Sequence, residues 1–233
     1  MKECIILAGG FGTRLQSVVK DIPKCMAPVA GKPFLFHLLK YAESQDIQHI
    51  VLSLGYKHDT ITKWLGENSF NLKISFVIEN EPLGTGGAIK YAFSKIEGDS
   101  SLIINGDTFF NINIEEFIKF HKSCKANISL ALKPMYEFDR YGSVEVNEEY
   151  RIIKFNEKQF CEKGFINGGV YAINKEIFDR IDVPQKFSFE TDILEKHINA
   201  LAIFGSVQDD YFIDIGIPSD YEKANLDFAK GLI

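Results

Sequence analysis

Short, mainly apolar runs alternate with segments of helical spacing through the first half of the chain. The apolar runs predict buried strands over residues 4–7, 49–54, 73–78, 100–105 and 127–133. The helical spacing predicts helices over residues 33–45, 58–65 and 114–125, and a further helix that opens from the loop over 79–88 and runs to about residue 93. Strands that alternate with helices form a parallel sheet with right-handed crossovers. The pattern therefore predicts an α/β fold with a mixed, mainly parallel sheet flanked by helices.

The pattern changes after residue 133. Residues 141–146 alternate between apolar and polar side chains, and residues 151–155 follow a polar turn, which favours antiparallel pairing. Further strands are predicted over residues 170–173, 202–207 and 211–213, and helices over 175–180, 188–199 and 219–229. Without a linker or repeat, residues 1–133 and 134–233 are interpreted as two halves of a single domain, the second a smaller lobe over the same sheet.

Charge and hydropathy narrow the class of protein. A net charge of −6 over 233 residues argues against a nucleic-acid-binding surface and fits a small phosphorylated substrate. No run approaches the ~20 apolar residues of a membrane helix, so no membrane partner is expected. The cysteines are scattered and Met1 leads directly into a predicted strand, so we expect a cytoplasmic protein without a signal peptide. The oligomeric state is left open, a homodimer included.

A glycine-rich loop follows the first predicted strand, where residues 7–15 are LAGGFGTRL. Its glycines leave backbone N–H groups open to an anion. Arg14 adds a permanent charge suited to phosphate oxygens. The loop does not fit the dinucleotide fingerprint because Leu15 stands where the third glycine belongs, and no Walker loop is present. We interpret it as a site for a nucleoside triphosphate; a glycine-rich turn without a ligand is the alternative.

Two further polar loops follow predicted strands. Residues 79–88 form a second glycine loop, and Asp107 follows the strand over 100–105. Ligands of open parallel sheets bind beyond the carboxyl ends of the strands, so we expect these loops to border one crevice. Asp107 is a candidate Mg²⁺ ligand, with a helix N-cap as the alternative. Lys24, between two prolines, is expected to present its amine at a defined place, with a solvent-exposed lysine as the alternative.

With these motifs placed, the chain resembles the sugar-1-phosphate nucleotidylyltransferases. The resemblance extends from the first strand to Pro218 and rests on motifs at residues 7–15, 23–26, 83–87, 106–107, 155–158, 167–169 and 214–216. One motif departs from the family pattern, because Gln159 stands where proline often follows the lysine. Within the family, residues 18–28 and 81–88 are most similar to bacterial D-glycero-D-manno-heptose 1-phosphate guanylyltransferases.

The resemblance implies a Rossmann-like, GT-A-like fold. It also implies that a sugar 1-phosphate attacks the α-phosphorus of a nucleoside triphosphate, giving a nucleotide-sugar and pyrophosphate. The implied catalytic residues are Arg14, Lys24 and Asp107. The implied nucleotide-binding residues are Leu7, Ala8, Gly9, Gly10, Gly12, Thr13, Glu79, Gly84 and Thr85. The implied sugar-phosphate residues are Gly142, Glu157, Lys158, Asn167 and Glu190, and the Mg²⁺ ligands are Asp107 and Asp214.

Glu79 favours guanine as the base. It lies five positions before Gly84, where the family tends to place a base-reading side chain. An ionised carboxylate accepts hydrogen bonds, and guanine offers it two adjacent donors on its Watson–Crick edge. A carboxylate that simply ends its strand in solvent is the alternative.

Other functions use the same motifs. One alternative is a uridylyl- or cytidylyltransferase acting on glucose 1-phosphate or a related hexose 1-phosphate. An alternative of another class is a catalytically inactive regulator that binds nucleotide-sugars. The enzyme is favoured over the regulator because charged residues accompany the glycines, namely Arg14, Lys24, Asp107, Lys158 and Asp214.

Overall fold

Nine strands form one mixed sheet within residues 1–10, 15, 19 and 21–231, the part of the chain that this computed structural model describes. The described strands are β1 (Glu3–Leu7), β2 (Pro28–Val29), β3 (Lys32–Pro33), β4 (His49–Leu54), β5 (Lys73–Ile78), β6 (Ser100–Asn105), β7 (Thr108–Phe110), β8 (Ile128–Phe138), β9 (Ser143–Val146), β10 (Ile152–Phe155), β11 (Cys161–Asn174), β12 (Ile203–Val207) and β13 (Phe212–Asp214). The described α-helices are α1 (Phe34–Ser44), α2 (His58–Gly66), α3 (Gly84–Ala92), α4 (Ile114–Ser123), α5 (Ile177–Arg180) and α6 (Pro218–Ala229). A π-helix spans Phe189–Glu195, and 3₁₀ turns span Lys24–Met26 and Phe93–Lys95.

The sheet changes from parallel to antiparallel across its width. Its strands follow the order β10-β9-β11-β6-β1-β4-β5, while β8 pairs with β11 and β12. Strands β6, β1, β4 and β5 pair in parallel, whereas β11 runs antiparallel to β6, β8 and β9. The predicted α/β class is confirmed, and so is the antiparallel pairing expected in the second half.

Two layers of apolar side chains cover the faces of the sheet. On β1, Cys4 and Ile6 join the cluster that contains Phe34 of α1, and Ile5 joins the opposite cluster with Ile89 of α3. A strand covered on both faces needs apolar residues at successive positions, which explains the uninterrupted run that predicted β1. No helix in the described part of the chain is long and apolar enough to cross a membrane.

Several elements differ from their predicted extents; β8, for example, continues to Phe138. The strand predicted over 170–173 is the end of the 14-residue strand β11, which bends at an irregularity between Asn167 and Tyr171. Gly169 adopts φ +72° there, so the glycines bend the strand and do not precede it. The helix predicted over 188–199 is a π-helix that ends at Glu195, and Ser188 caps its N-terminus by accepting from Thr191 N.

A small antiparallel pair, β7 with β13, has no counterpart among the predicted strand pairings. Its register places Thr108 opposite Asp214. The two strands lie about a hundred positions apart in sequence, so no local turn signal links them. This pair brings the segment after β13 beside the turn that contains Asp107.

The first turn of α3 packs against the backbone that precedes the π-helix. Gly86 N and Gly87 N donate to Phe187 O at 3.0 and 3.4 Å, and Phe187 N donates to Leu83 O at 3.0 Å. Gly84 adopts φ +73°, and a Cβ added to it would lie 2.5 Å from Phe187 O. The second glycine loop therefore permits a close backbone contact, and its Gly86 and Gly87 N–H groups bond to protein.

We expect Gly84→Ala to lower the free energy of unfolding by about 2–5 kcal/mol. The left-handed backbone alone costs a non-glycine residue about 1–2 kcal/mol, and overpacking against Phe187 adds about 1–3 kcal/mol. Gly31→Ala is the matched control, because Gly31 also has a positive φ of +78° but nothing lies within 4 Å of the added Cβ. Urea unfolding of both variants measures the difference, and equal losses would contradict the packing role of Gly84.

Candidate active site

The carboxyl ends of the parallel strands open into a cavity of about 610 Å³, named cavity A. Strands β1, β5 and β6 each contribute their last residues or the residues that follow to its wall. The predicted nucleotide-binding and catalytic residues on this wall are Leu7, Ala8, Gly9, Gly10, Lys24, Glu79, Gly84, Thr85 and Asp107. The predicted residues Gly12, Thr13 and Arg14 lie outside the described part of the chain.

A second cavity of about 380 Å³, named cavity B, adjoins cavity A. The two cavities share Asn105 and Asp107 in their walls. The predicted sugar-side and metal-binding residues on the wall of cavity B are Asp107, Lys158, Asn167, Glu190 and Asp214. The cavities meet at Asp107. The near ends of a ligand in cavity A and a ligand in cavity B would therefore lie close together.

The described wall of cavity B does not include two predicted sugar-side residues, Gly142 and Glu157. Gly142 faces main chain, since a Cβ added to it would lie 2.5 Å from Asn156 O. This close approach is by itself enough to explain why the position is a glycine, and no sugar contact is needed for that explanation. Glu157 is exposed on the loop after β10. Their roles in binding sugar stay predictions.

Three charged side chains from distant parts of the chain meet where the cavities join. Lys24 Nζ lies 2.5 Å from Asp107 Oδ2 and 3.4 Å from Asp214 Oδ1. Lys24 begins the 3₁₀ turn after Pro23, Asp107 lies in the turn between β6 and β7, and Asp214 ends β13. The lysine side chain is only 11% exposed. Lys24 is therefore an amine fixed between two carboxylates, not a lysine in solvent.

The two aspartates share this cation. Burial raises the pKa of Asp214, the negative charge of Asp107 raises it further, and Lys24 opposes both effects. Gly216 N donates to Asp214 Oδ1 at 2.7 Å, and Thr108 Oγ1 donates to Asp107 Oδ1 at 3.2 Å. Asp107 lies in a turn between two strands and Asn113 caps the next described helix, α4, so Asp107 is not the N-cap considered as its alternative. With both carboxylates ionised the cluster has an excess negative charge, so a further cation would stabilise it.

The donor set of Asp107 and Asp214 fits a hard divalent cation. Mg²⁺ is usually bound by one or two carboxylates and completes its octahedral coordination with substrate phosphates and water. Within the described residues, no group of three or more His, Cys, Asp or Glu side chains could hold a metal ion. A cation at this pair would therefore depend on ligands from a bound nucleotide, as the predicted Mg²⁺ site requires.

Glu79 is anchored at the wall of cavity A. Its Oε1 accepts from Ser53 Oγ at 3.0 Å, and its Oε2 accepts from Leu83 N at 3.1 Å. A Cβ added to Gly9 would lie 3.0 Å from Oε1, so the first glycine loop approaches this carboxylate closely. Each carboxylate oxygen has a second lone pair. The side chain is thus fixed in the cavity and retains acceptor capacity toward a base.

Asn167 is fixed at the wall of cavity B. Its Nδ2 donates to the hydroxyl of Tyr171 at 2.9 Å, and its Oδ1 accepts from Gly169 N at 3.1 Å. Tyr171 is buried, and burial raises the pKa of its phenol. The amide orientation of Asn167 is therefore set by the bend in β11, which no local motif predicts.

Arg140, Tyr141 and Asp220 also line cavity B, and no sequence motif singles them out. An Arg140 nitrogen lies 2.6 Å from Asp220 Oδ2, and the guanidinium lies 5.4 Å from the ring centre of Tyr141. Burial, with a contribution from the charge of Asp214, raises the pKa of Tyr141 to about 12. The ion pair joins positions 80 residues apart, so no local pattern predicts it. The position of Arg140 and Tyr141 next to Gly142, a predicted sugar-side residue, could have drawn attention to them.

Comparisons with known proteins identify the family of this chain. A family model described as nucleotidyl transferase matches residues 3–231. Over 222 residues the chain is 50% identical to the D-glycero-alpha-D-manno-heptose 1-phosphate guanylyltransferase of Aneurinibacillus thermoaerophilus, which covers 95% of this chain and 96% of the relative. The protein of the same name from Campylobacter jejuni is 45% identical over 94% of this chain and 96% of its own length.

Solved structures give the same result. The crystal structure of HddC from Yersinia pseudotuberculosis superposes with a TM-score of 0.89 at 43% identity, covering 98% of this chain and 100% of that chain. A structure of HddC complexed with GMP-PN has the same TM-score at 42% identity, with the same coverage. The family model and these relatives each span nearly the whole chain. The chain belongs to the nucleotidyl transferase family.

Proposed function

We propose that this protein transfers GMP from GTP to D-glycero-D-manno-heptose 1-phosphate, giving GDP-heptose and pyrophosphate. The observation that carries the proposal is the 50% identity to a heptose 1-phosphate guanylyltransferase over 95% of this chain and 96% of that relative. An alignment of this extent includes both cavities. The HddC structure complexed with GMP-PN supports the choice of a guanine nucleotide. We place the reaction in the cytoplasm. A homodimer is compatible with the proposal, which needs only the two cavities of a single chain.

In this proposal each cavity binds one of the two substrates. The nucleotide lies in cavity A and the sugar 1-phosphate in cavity B, with Lys158, Asn167 and Glu190 on the sugar side. An oxygen of the sugar phosphate forms a bond to the α-phosphorus. The bond from the α-phosphorus to the bridging oxygen breaks, and its electron pair leaves with pyrophosphate. The shared wall at Asn105 and Asp107 is where the two reacting groups meet.

Phosphoryl-type transfer asks the protein mainly for alignment and for compensation of negative charge. Lys24 supplies a cation at the junction of the cavities, where two phosphates must approach each other. Asp107 and Asp214 would hold Mg²⁺, which when bound neutralises phosphate charge. Arg14 would hold the triphosphate; this role rests on the sequence, because Arg14 lies outside the described residues.

A screen of pyrophosphate release tests the function. GTP, ATP, CTP and UTP are each combined with heptose, mannose and glucose 1-phosphate, and kcat/KM is measured for every pair. We expect the highest value for GTP with D-glycero-D-manno-heptose 1-phosphate. A preference for UTP or CTP with glucose 1-phosphate would replace the proposal by the alternative enzyme. No turnover of any pair by folded protein would favour the regulator.

Glu79→Gln tests the base reader in the same screen. We expect the preference for GTP over UTP to fall about tenfold or more, because a carboxylate that accepts both guanine donors is replaced by an amide. Ser53→Ala is the matched control, since it removes a donor to Glu79 Oε1 and leaves the carboxylate in place. An unchanged preference in Glu79→Gln would show that another group reads the base.

Lys24→Ala is expected to lower kcat by about a hundredfold or more, since it removes a charge-stabilising group at the reacting phosphates. Lys133→Ala is the matched control: Lys133 lies 2.6 Å from Asp209 and is 16% exposed, against 11% for Lys24. We expect the control to stay within a few-fold of wild type. Steady-state kinetics and thermal unfolding of both variants measure the effect, and near-normal turnover by folded Lys24→Ala protein would remove Lys24 from the mechanism.

Turnover is expected to require Mg²⁺ or a similar hard cation. Asp107→Asn and Asp214→Asn should each raise the Mg²⁺ concentration needed for half-maximal turnover, because each removes a charged ligand. Asp209→Asn, which changes an exposed carboxylate paired with Lys133, is the control. Titration of Mg²⁺ into chelator-treated enzyme gives these values. Full activity in excess chelator would rule out the metal requirement.

A further inference from the structure

Besides the contact of Lys24 with Asp214, a second side-chain hydrogen bond joins the walls of the two cavities. Thr85 Oγ1 donates to Glu190 Oε2 at 2.6 Å. Thr85 lines cavity A and Glu190 lines cavity B, although the two residues lie 105 positions apart in sequence. The contact is a direct side-chain link between the nucleotide side and the sugar side.

The hydroxyl of Thr85 is oriented by the sugar-side segment itself. Phe189 N donates to Thr85 Oγ1 at 2.9 Å. With a backbone N–H on its acceptor side, the hydroxyl has its single proton available for Glu190. The backbone contacts between Phe187 and the first turn of α3 keep the two segments at this separation.

Glu190 has one oxygen fixed and one oxygen available. Ser188 Oγ also donates to Oε2, at 3.0 Å, so both hydroxyls converge on the same atom. Within the described part of the chain, no group donates to Oε1. Because Glu190 lines cavity B, Oε1 can accept a hydroxyl of the sugar, and a bond from hydroxyl to carboxylate is charge-assisted.

Solvent exposure makes this contact sensitive to both ligands. The Thr85–Glu190 bond is exposed to solvent. A nucleotide that covers Thr85 would exclude water and strengthen the bond, because hydrogen bonds are stronger in a low dielectric. A sugar hydroxyl on Oε1 would hold Glu190 in the same position. Each ligand therefore stabilises the arrangement that the other needs, and such coupling is reciprocal.

We propose that Thr85 is a positioning residue whose hydrogen bond to Glu190 couples the two substrate sites, so that each substrate raises the affinity for the other. The inference rests on the proposed function, which assigns the nucleotide to cavity A and the sugar 1-phosphate to cavity B. It adds a link between those sites that neither cavity shows alone.

The test measures binding of a non-hydrolysable α,β-methylene analogue of GTP with and without saturating heptose 1-phosphate, and the reciprocal titration. Thr85→Val removes the hydroxyl at nearly constant volume, and Thr85→Ser restores it. Ser188→Ala is the matched control, since it also removes a hydroxyl from Oε2 but lies wholly on the sugar side. Thermal unfolding and the KM and kcat values for both substrates are measured on the same samples.

In wild type we expect each ligand to tighten the other by at least about fivefold, the lower end of usual coupling between sites. Thr85→Val should reduce this factor to near one and raise the KM for sugar about tenfold, the scale of a lost hydrogen bond to a charged group. Thr85→Ser should restore the factor. Ser188→Ala should weaken sugar binding equally with and without nucleotide and keep the factor.

A factor of one in wild type would overturn the proposal, as would a Thr85→Val variant that keeps the wild-type factor. An equal loss in Ser188→Ala would also overturn it, because the effect would then come from general disorder of Glu190. If the pyrophosphate screen selects another pair of substrates, the proposed function fails, and the coupling is measured with that pair and the α,β-methylene analogue of that nucleotide. The two failures are therefore distinguishable.

Discussion

The junction of the two cavities depends on holding two aspartates against one lysine amine. Partly buried like charges are unfavourable unless a cation offsets them, and Lys24 lies 2.5 Å from Asp107 and 3.4 Å from Asp214. The small pair β7–β13 sets their separation, because it places Asp214 opposite Thr108. Ile215 N also donates to Asp107 O at 3.0 Å, so main chain joins the two turns that contain the carboxylates. Without this small sheet the carboxylates would have no fixed spacing toward the lysine or toward a divalent cation.

The second glycine loop shows why a glycine motif does not by itself identify a phosphate site. The N–H groups of Gly86 and Gly87 donate to Phe187 O, so they are not available to an anion. A phosphate bound in cavity A would therefore need other groups, and among the described residues on its wall Gly9, Gly10 and Lys24 are the candidates. What the second loop contributes is a close backbone contact with Phe187, and that contact brings Thr85 against the π-helix segment.

The parts of the fold that follow from local sequence were predictable, and those that depend on distant pairing were not. Strands β4, β5 and β6 have the predicted bounds, because each is a short apolar run between polar turns. The pair β7–β13 and the ion pair Arg140–Asp220 join segments that no local pattern relates. In the site, residues at the carboxyl ends of parallel strands were found because that position has a general meaning. Gly142 was assigned to the sugar from the family resemblance, and its surroundings independently favour a glycine for main-chain packing.

Strand β6 explains why the two cavities share a wall. It pairs in parallel with β1 on one side and antiparallel with β11 on the other, so it is the strand at which the sheet changes direction. Beyond its carboxyl end, the loops of the parallel half lie on one side and the bent strand β11 on the other. Asn105 is the last residue of β6 and Asp107 lies two positions beyond it, and both residues line both cavities. Open α/β sheets bind ligands in the crevice outside the carboxyl ends of their strands. In this protein the change of strand direction at β6 lies at that crevice, and Asp107 lies on the wall that its two compartments share.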